Sequence, residues 1–476
     1  MSESRRPLNF REKFGYGMGA FTESTAQNAL PQMMLPVFNI MLGVSPIQLG
    51  IAAAITRAWD AFGDPLMGYL SDNTRSRWGR RKPYILLGAI ASGIFFAAIW
   101  LVPSGWSQSR YFWYFLIVSL LYYTATTVYC VPYIGMGYEL SDDYHERTRL
   151  MGYRMFFVGL SGIGIGWMLR FTQLDIFSDG VQGMRVLGVV TGLVFILFAL
   201  GPLLLVRRRG ALEAAPVRRE KISVRDAFGV FRVGPFVLLL LALGVGTVCT
   251  STPGAFGTYI VIYHVCGGSL EFGSAVMGYT GMAAGILSIA SIPAVNLVSR
   301  RYGKKNTLIF AFLIGIAGLG GSWWLYTPAH PYWSIAVGTL GSICMSSMYL
   351  LIFAMVADVC EYDLRRNGTD RAGVFAAALS WTIKFGIMLA LACSGYVLEY
   401  TGFDAALGPE QAEATLFRMR LIYAVVPASG FVVSTCLVAF FPLNARSMKR
   451  LRELYNTEVS EPDRRSGRRG PEPEES

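Results

Sequence analysis

Twelve apolar runs, each about 20 residues or longer, decide what this chain can fold into before any motif is considered. They lie near residues 15–42, 47–71, 83–103, 111–139, 150–172, 185–206, 233–263, 272–298, 307–327, 331–361, 373–400 and 417–442. A helix of about 20 apolar residues crosses a hydrocarbon layer roughly 30 Å thick. Inside that layer only a helix or a closed barrel satisfies its own backbone hydrogen bonds. The expectation is an all-α membrane protein with twelve transmembrane helices. Only 15% of the 476 residues are charged, against about 25% in an average soluble domain, and the connections between runs are too short for a soluble domain.

A net charge of +11 invites a nucleic-acid reading, so its distribution matters more than its size. Basic residues gather at Arg5 to Lys13, Arg75 to Lys82, Arg147 and Arg149, Arg207 to Arg232, Arg300 to Lys305, Arg365 to Arg371 and along the tail from Arg446. The alternate connections at 43–46 and 328–330 carry no Lys or Arg. Positive charge on one side marks the cytoplasmic face, so both termini are expected there, in a multi-pass protein of the cell membrane. The charge encodes topology and lipid contact, not nucleic acid. The polar first dozen residues do not read as a cleaved leader. Seven cysteines, all in or beside apolar runs and without CxxC spacing, indicate neither a disulfide framework nor a structural metal.

The chain reads as two halves. The basic turn around Gly79, between the second and third runs, has a counterpart in Ser299-Arg300-Arg301-Tyr302-Gly303-Lys304-Lys305, between the eighth and ninth. Six runs precede the Arg-rich connection and six follow it. The division is therefore 1–206, a first six-helix bundle; 207–232, a cytoplasmic linker; 233–442, a second bundle; and 443–476, a tail of disordered composition. This duplication resembles the major facilitator superfamily, which implies two pseudo-symmetric six-helix bundles.

Charged groups inside the runs mark the chemistry. Asp60 and Asp64 lie one helical turn apart, on one face. Each costs about 2.5–3.5 kcal/mol at mid-bilayer by insertion scales, so the pair needs a cation, a proton or a partner. Arg57, three residues earlier, is the nearest candidate partner. Glu23, two turns into the first run, either meets water at the interface or enters a pocket. Arg154 either snorkels to the headgroups or faces a cavity. Lys384, deep in the eleventh run, must face a polar cavity or a carboxylate. The fourth run is rich in rings and hydroxyls, from Tyr122 and Tyr123 through Thr127, Tyr129 and Cys130 to Tyr133. These either bind ligand or satisfy one another between helices. Arg75, Arg77, Arg80 and Arg81, with Glu139, Asp358 and Glu361 as acidic counterparts, are candidates for a cytoplasmic gate.

The run Arg57-x-Trp59-Asp60-Ala-x-x-Asp64-Pro65-x-x-Gly68, followed by Thr74-Arg75-Ser76-Arg77-Trp78-Gly79-Arg80-x-Lys82-Pro83, resembles the glycoside-pentoside-hexuronide:cation symporters, the melibiose permease family. The likeness extends over the twelve runs, through Tyr16-Gly17-x-Gly19-Ala20-Phe21, Val131-Pro132-Tyr133, Glu146-Arg147-Thr148-Arg149-Leu150 and Val356-Ala357-Asp358. It implies that Asp60 and Asp64 bind the coupling cation, assisted by Thr127, with Lys384 and Arg57 nearby and Arg154 within one residue of an arginine of the sugar pocket. Three positions depart from the pattern. Ser24, next to Glu23, stands where the family has a sugar-binding aspartate; Cys130 stands where it has a second; Gly63 replaces an asparagine of the sodium site. The departures point away from a galactoside and toward H⁺ rather than Na⁺.

The expected function is cation-coupled symport of a sugar or glycoside by alternating access, by a monomer in the bilayer, with no cofactor beyond the coupling ion. Tyr123, Tyr129, Tyr349, Trp381, Glu23, Ser24 and Arg154 are the candidate substrate residues. A lysolipid transporter on the same scaffold is the alternative. An enzyme is not expected: His145, His264 and His330 are isolated, and no nucleophile with a base, metal-ligand spacing or nucleotide loop is present.

Overall fold

The computed structural model describes residues 8–74, 76–140, 144–206, 229–254, 256–367, 371–443 and 447. The linker expected at 207–232 and the tail at 443–476 lie mostly outside them. Twelve long helices account for nearly everything described. The first half holds α1 (Phe10–Met34), α2 (Pro46–Asn73), α3 (Lys82–Trp100), α4 (Gln108–Glu139), α5 (Tyr144–Thr172) and α6 (Gly180–Leu200). The second holds α7 (Gly234–Gly254), α8 (Leu270–Tyr302), α9 (Lys304–Gly315), α10 (Ser334–Asn367), α11 (Ala372–Tyr400) and α12 (Glu413–Ala439). Local chemistry places several starts. Asn9 and Glu12 form a reciprocal capping box at α1, Asp179 caps α6, and α2 and α3 begin with proline in the first turn, where its missing N–H costs nothing.

Two wide turns interrupt the regular pitch at matching places. α1 passes into a π-helical stretch at Leu35–Met41, next to Pro31 and Pro36, and the extension of α7 does so at Ile260–Val265. The basic turns match as well. Gly79 and Gly303 take φ of +92° and +84°, a region that side-chain-bearing residues rarely adopt. Lys82 then donates to the carbonyls of Leu203 and Val206 at the end of the first half. Lys305 donates to those of Ala439 and Phe441 at the end of the second.

The halves meet along two seams, α2 against α11 and α5 against α8. One apolar core at the end of the bundle far from the chain termini draws on both halves, joining Phe38 and Leu49 with Tyr259, Ile262 and Leu391. At the termini end each half has a core of its own, around Tyr129 and Tyr133 in the first and Phe236 and Met355 in the second. The halves are thus packed together at the far end and separately packed at the termini end.

Among the described residues, ten helical spans are long and apolar enough to cross a membrane. The two helices outside that set are α1 and α2, and they carry Glu23, Arg57, Asp60 and Asp64.

Candidate functional site

The α2–α11 seam holds three charged side chains in mutual contact. Lys384 of α11 donates to Asp60 Oδ2 at 2.9 Å and to Asp64 Oδ2 at 2.5 Å, both on α2. The hydroxyl of Thr127, on α4, donates to Asp60 Oδ1 at 2.8 Å. Asp60 is fully buried, its side chain 2% exposed, whereas Asp64 is 38% exposed and Lys384 24%. The spacing of four on α2 aims both carboxylates at one ammonium. Both Asp60 oxygens are occupied, and Asp64 is the open edge of the triad. A second pair sits between α1 and α5, where Arg154 donates to both oxygens of Glu23 at 2.7 and 2.8 Å. Arg154 therefore does not snorkel to the headgroups, and Glu23 has a fixed partner instead of free solvent: two charges half-removed from water are each other's cheapest solution.

Arg57 corrects its expected role as partner of Asp60. Its Nη1 and Nη2 donate to the side-chain and backbone oxygens of Gln27 on α1, each at 2.8 Å, and its guanidinium lies 4.7 Å above the Tyr123 ring. The reason is directional. A helical side chain leans toward its own N-terminus, so Arg57 reaches away from Asp60. Gln27 itself escaped the sequence reading, although it lies one turn beyond Glu23 on the same face of α1.

Several substrate candidates are placed elsewhere. Tyr129 is fully buried and its hydroxyl donates to the Gly19 carbonyl at 2.8 Å; Tyr122 and Tyr133 do the same to Ala26 and Tyr16. These tyrosines staple α4 to α1 in antiparallel register and present no free hydroxyl. Gly19 permits the approach, since a Cβ there would occupy the Tyr133 ring. Tyr123 is buried beneath Arg57, and Tyr349 packs against the second-half core. Trp381 turns out of the triad into an apolar groove of about 820 Å³ between α7 and α11, with Leu241 and Phe385, and meets Phe62 edge-on at 5.6 Å. It lies three positions from Lys384, about 60° round the same side of α11, and its ring lines the groove. Ser24 is half-exposed beside Glu23, and its carbonyl accepts from Asn28. Gly63 faces Thr127 across ordinary contact distance and contributes no ligand atom to the triad.

Among the described residues, four ion pairs at the termini end join groups of the same half. Arg81 bridges Asp72, Lys304 bridges Asp358, Arg365 bridges Glu361 and Arg371 bridges Asp363. Arg77 lies over the Trp78 ring and Arg80 is half-buried in the same turn. Arg75 and the side chain of Glu139 lie outside the described residues. With separate cores at this end, Arg81, Lys304 and Lys305 each reach partners within their own half. Among the described residues, ion pairs that cross between halves are those of the triad and Arg170–Glu271 at the far end.

Residues 15–445 match the family model described as MFS/sugar transport protein. The chain is similar to the isoprimeverose transporter of Lactiplantibacillus pentosus, 24% identical over 94% of this chain and 92% of the relative. It is also similar to the sodium-dependent lysophosphatidylcholine symporter 1-A of Danio rerio, 22% identical over 96% and 91%. Among solved structures it resembles a D-xylose-proton symporter, with a TM-score of 0.63 and 15% identity over 91% of this chain and 98% of that one. At that identity the likeness establishes the fold.

Proposed function

The chain belongs to the MFS/sugar transport protein family, the glycoside-type cation symporters of the major facilitator superfamily, and from that premise we propose symport of a sugar or glycoside driven by H⁺ in preference to Na⁺. It is a multi-pass membrane transporter and not an enzyme. The observation that carries the reading is Lys384 bridging Asp60 and Asp64 across the α2–α11 seam. An ammonium supplied by one half occupies the carboxylates of the other. A cation that takes its place dissolves the tie between halves, and this is the coupling event. Asp64, the more exposed carboxylate, receives the ion first; Asp60, held by Thr127, stabilises it.

H⁺ is favoured over Na⁺ by the donor set. An alkali ion needs a shell of several oxygens, while the triad gathers only two carboxylates and the Thr127 hydroxyl, and Gly63 adds no side-chain oxygen. Among the described residues no third acidic, His or Cys side chain joins them. A proton needs a single carboxylate oxygen. Glu23 and Arg154 form the sugar-facing pair, a carboxylate and a guanidinium able to accept from and donate to hydroxyls. The halves then rock about a midplane site, with the far end closed and the termini end, cytoplasmic by its basic loops, opening to release substrate. When the termini ends close, the basic turns at Arg75 to Lys82 and Arg300 to Lys305, with Glu139 or Asp358 as partners, latch them.

The test is uptake by proteoliposomes over a panel of glycosides, pentosides and uronides under imposed H⁺ or Na⁺ gradients. Asp64→Asn should abolish gradient-driven accumulation while substrate binding persists. Undiminished, still ion-dependent uptake by that variant would sink the assignment. Transport of an amphiphile is a second reading, favoured by the α7–α11 groove, whose lining is almost wholly apolar. Lysolipid that competes for uptake where sugars do not would select it.

A further inference from the structure

Arg57 is more than nine-tenths buried, yet the oxygens it holds, both from Gln27, are uncharged. Its Nε is enclosed and has no hydrogen-bond partner. Tyr123 supplies a ring face beneath it, a favourable but modest neighbour for a cation. Buried guanidinium groups are ordinarily matched by carboxylate or phosphate, because the planar fork presents parallel donors to two oxygens. Gln27 is half-exposed, so the amide side of this contact is the side that can be displaced.

The charges of the central site explain why the arrangement is tolerated. Glu23 and Arg154 cancel. Asp60, Asp64 and Lys384 leave one negative charge, and Arg57, one turn away on α2, balances it. Cation binding at the triad removes that balance and leaves Arg57 as an uncompensated positive charge in a low-dielectric setting, where such a charge is costly.

We propose that Arg57 and Gln27 form a specificity-determining pair that reads the charge of the substrate, with the Gln27 amide oxygen holding the place taken by an anionic oxygen of the transported molecule. The inference rests on the sugar-symport reading and deepens it. Loading the cation frees Arg57 to demand a negative group, and an anionic substrate restores neutrality. Ion and substrate are thereby coupled through charge as well as shape. An acidic sugar carried with one H⁺ moves no net charge, so its uptake is insensitive to membrane potential.

The experiment uses the full-length protein in proteoliposomes with an imposed pH gradient and the potential clamped by K⁺ and valinomycin. Two matched pairs are compared, methyl glucoside with methyl glucuronide and methyl galactoside with methyl galacturonide. The acidic member should have the lower half-saturating concentration by roughly ten- to a hundredfold, the range of one charge-assisted contact, and its uptake should not respond to the potential. Within each variant the ratio of acidic to neutral affinity is the readout, so a general loss of activity does not obscure it. Arg57→Gln should bring the ratio close to one. Gln27→Glu, which keeps Arg57 paired by supplying an internal carboxylate, should do the same. Equal affinity for both members in the unmodified protein, or a ratio unchanged in both variants, overturns the proposal while neutral-sugar flux leaves the symport reading standing. No flux of any sugar under either gradient overturns the symport reading and this inference with it.

Discussion

The two seams that join the halves occupy equivalent places in a duplicated fold and are built from opposite materials. At α2–α11 the contact centres on Asp60, Asp64 and Lys384. At α5–α8 it centres on glycines: Gly166 and Gly281 approach until a Cβ on either would meet the other's Cα, and Gly285 comes close to the Gly159 carbonyl. Glycine contacts also close the far end of the charged seam, where a Cβ on Gly50 would strike the Leu391 carbonyl and one on Gly395 the Pro46 carbonyl. Backbone-to-backbone packing of this kind can slide or part without leaving an unmet charge. A buried ion triad cannot, unless something replaces the missing partner. The difference assigns the two seams separate duties: one senses the ion and the other follows.

The largest effect should come from the charged seam. Lys384→Ala leaves two carboxylates without their ammonium, a loss of about 3–5 kcal/mol by analogy with broken buried pairs. Transport in proteoliposomes should be lost; normal kinetics would make the lysine a structural strut. At the glycine seam, Gly281→Leu should overpack the far end by about 1–3 kcal/mol. That cost should hold the far end open, cut uptake roughly tenfold, and expose cysteines introduced along α5 to a membrane-impermeant thiol reagent. Unchanged labelling would show that this seam does not open during transport. A smaller change is expected from Gly63→Asn, which has room beside Thr127 and adds an amide oxygen to the triad. Uptake should become stimulated by Na⁺, and continued indifference to Na⁺ would mean that the donor set is not what excludes it. Least affected should be Trp381→Ala, in the apolar groove away from the triad. Sugar uptake within about twofold of the parent is expected, and a collapse would favour the amphiphile reading.

Much of this architecture is legible without coordinates, because a bilayer imposes one rule on every span. The twelve apolar runs coincide with the twelve helices to within several residues, once the π-helical stretches that extend α1, α6, α7 and α9 are counted with them. Asp60 and Asp64 could be grouped because helical periodicity is a local property. Lys384 stood out by its depth in the eleventh run, but its place beside the acidic pair, like that of Thr127, came from resemblance to a family. Only folding brings Lys384 onto α2, more than 300 positions away in the chain. The misplacements share a cause. Arg57, Tyr129 and Trp381 were grouped with the site by residue type and position along a run, but their surroundings are set by side-chain direction and by neighbouring helices. Arg57 leans back to Gln27, Tyr129 finds a carbonyl on α1, and Trp381 turns toward a groove.

Sequence alone therefore determined the spans, the duplication and the acidic turn on α2, since apolar length, repeated turns and helical period are written in consecutive residues. The tertiary structure decided which charges neutralise which. Pairing across a seam depends on how two distant helices pack and rotate, and the low dielectric between them makes that choice strong enough for the displacement of one ammonium to matter.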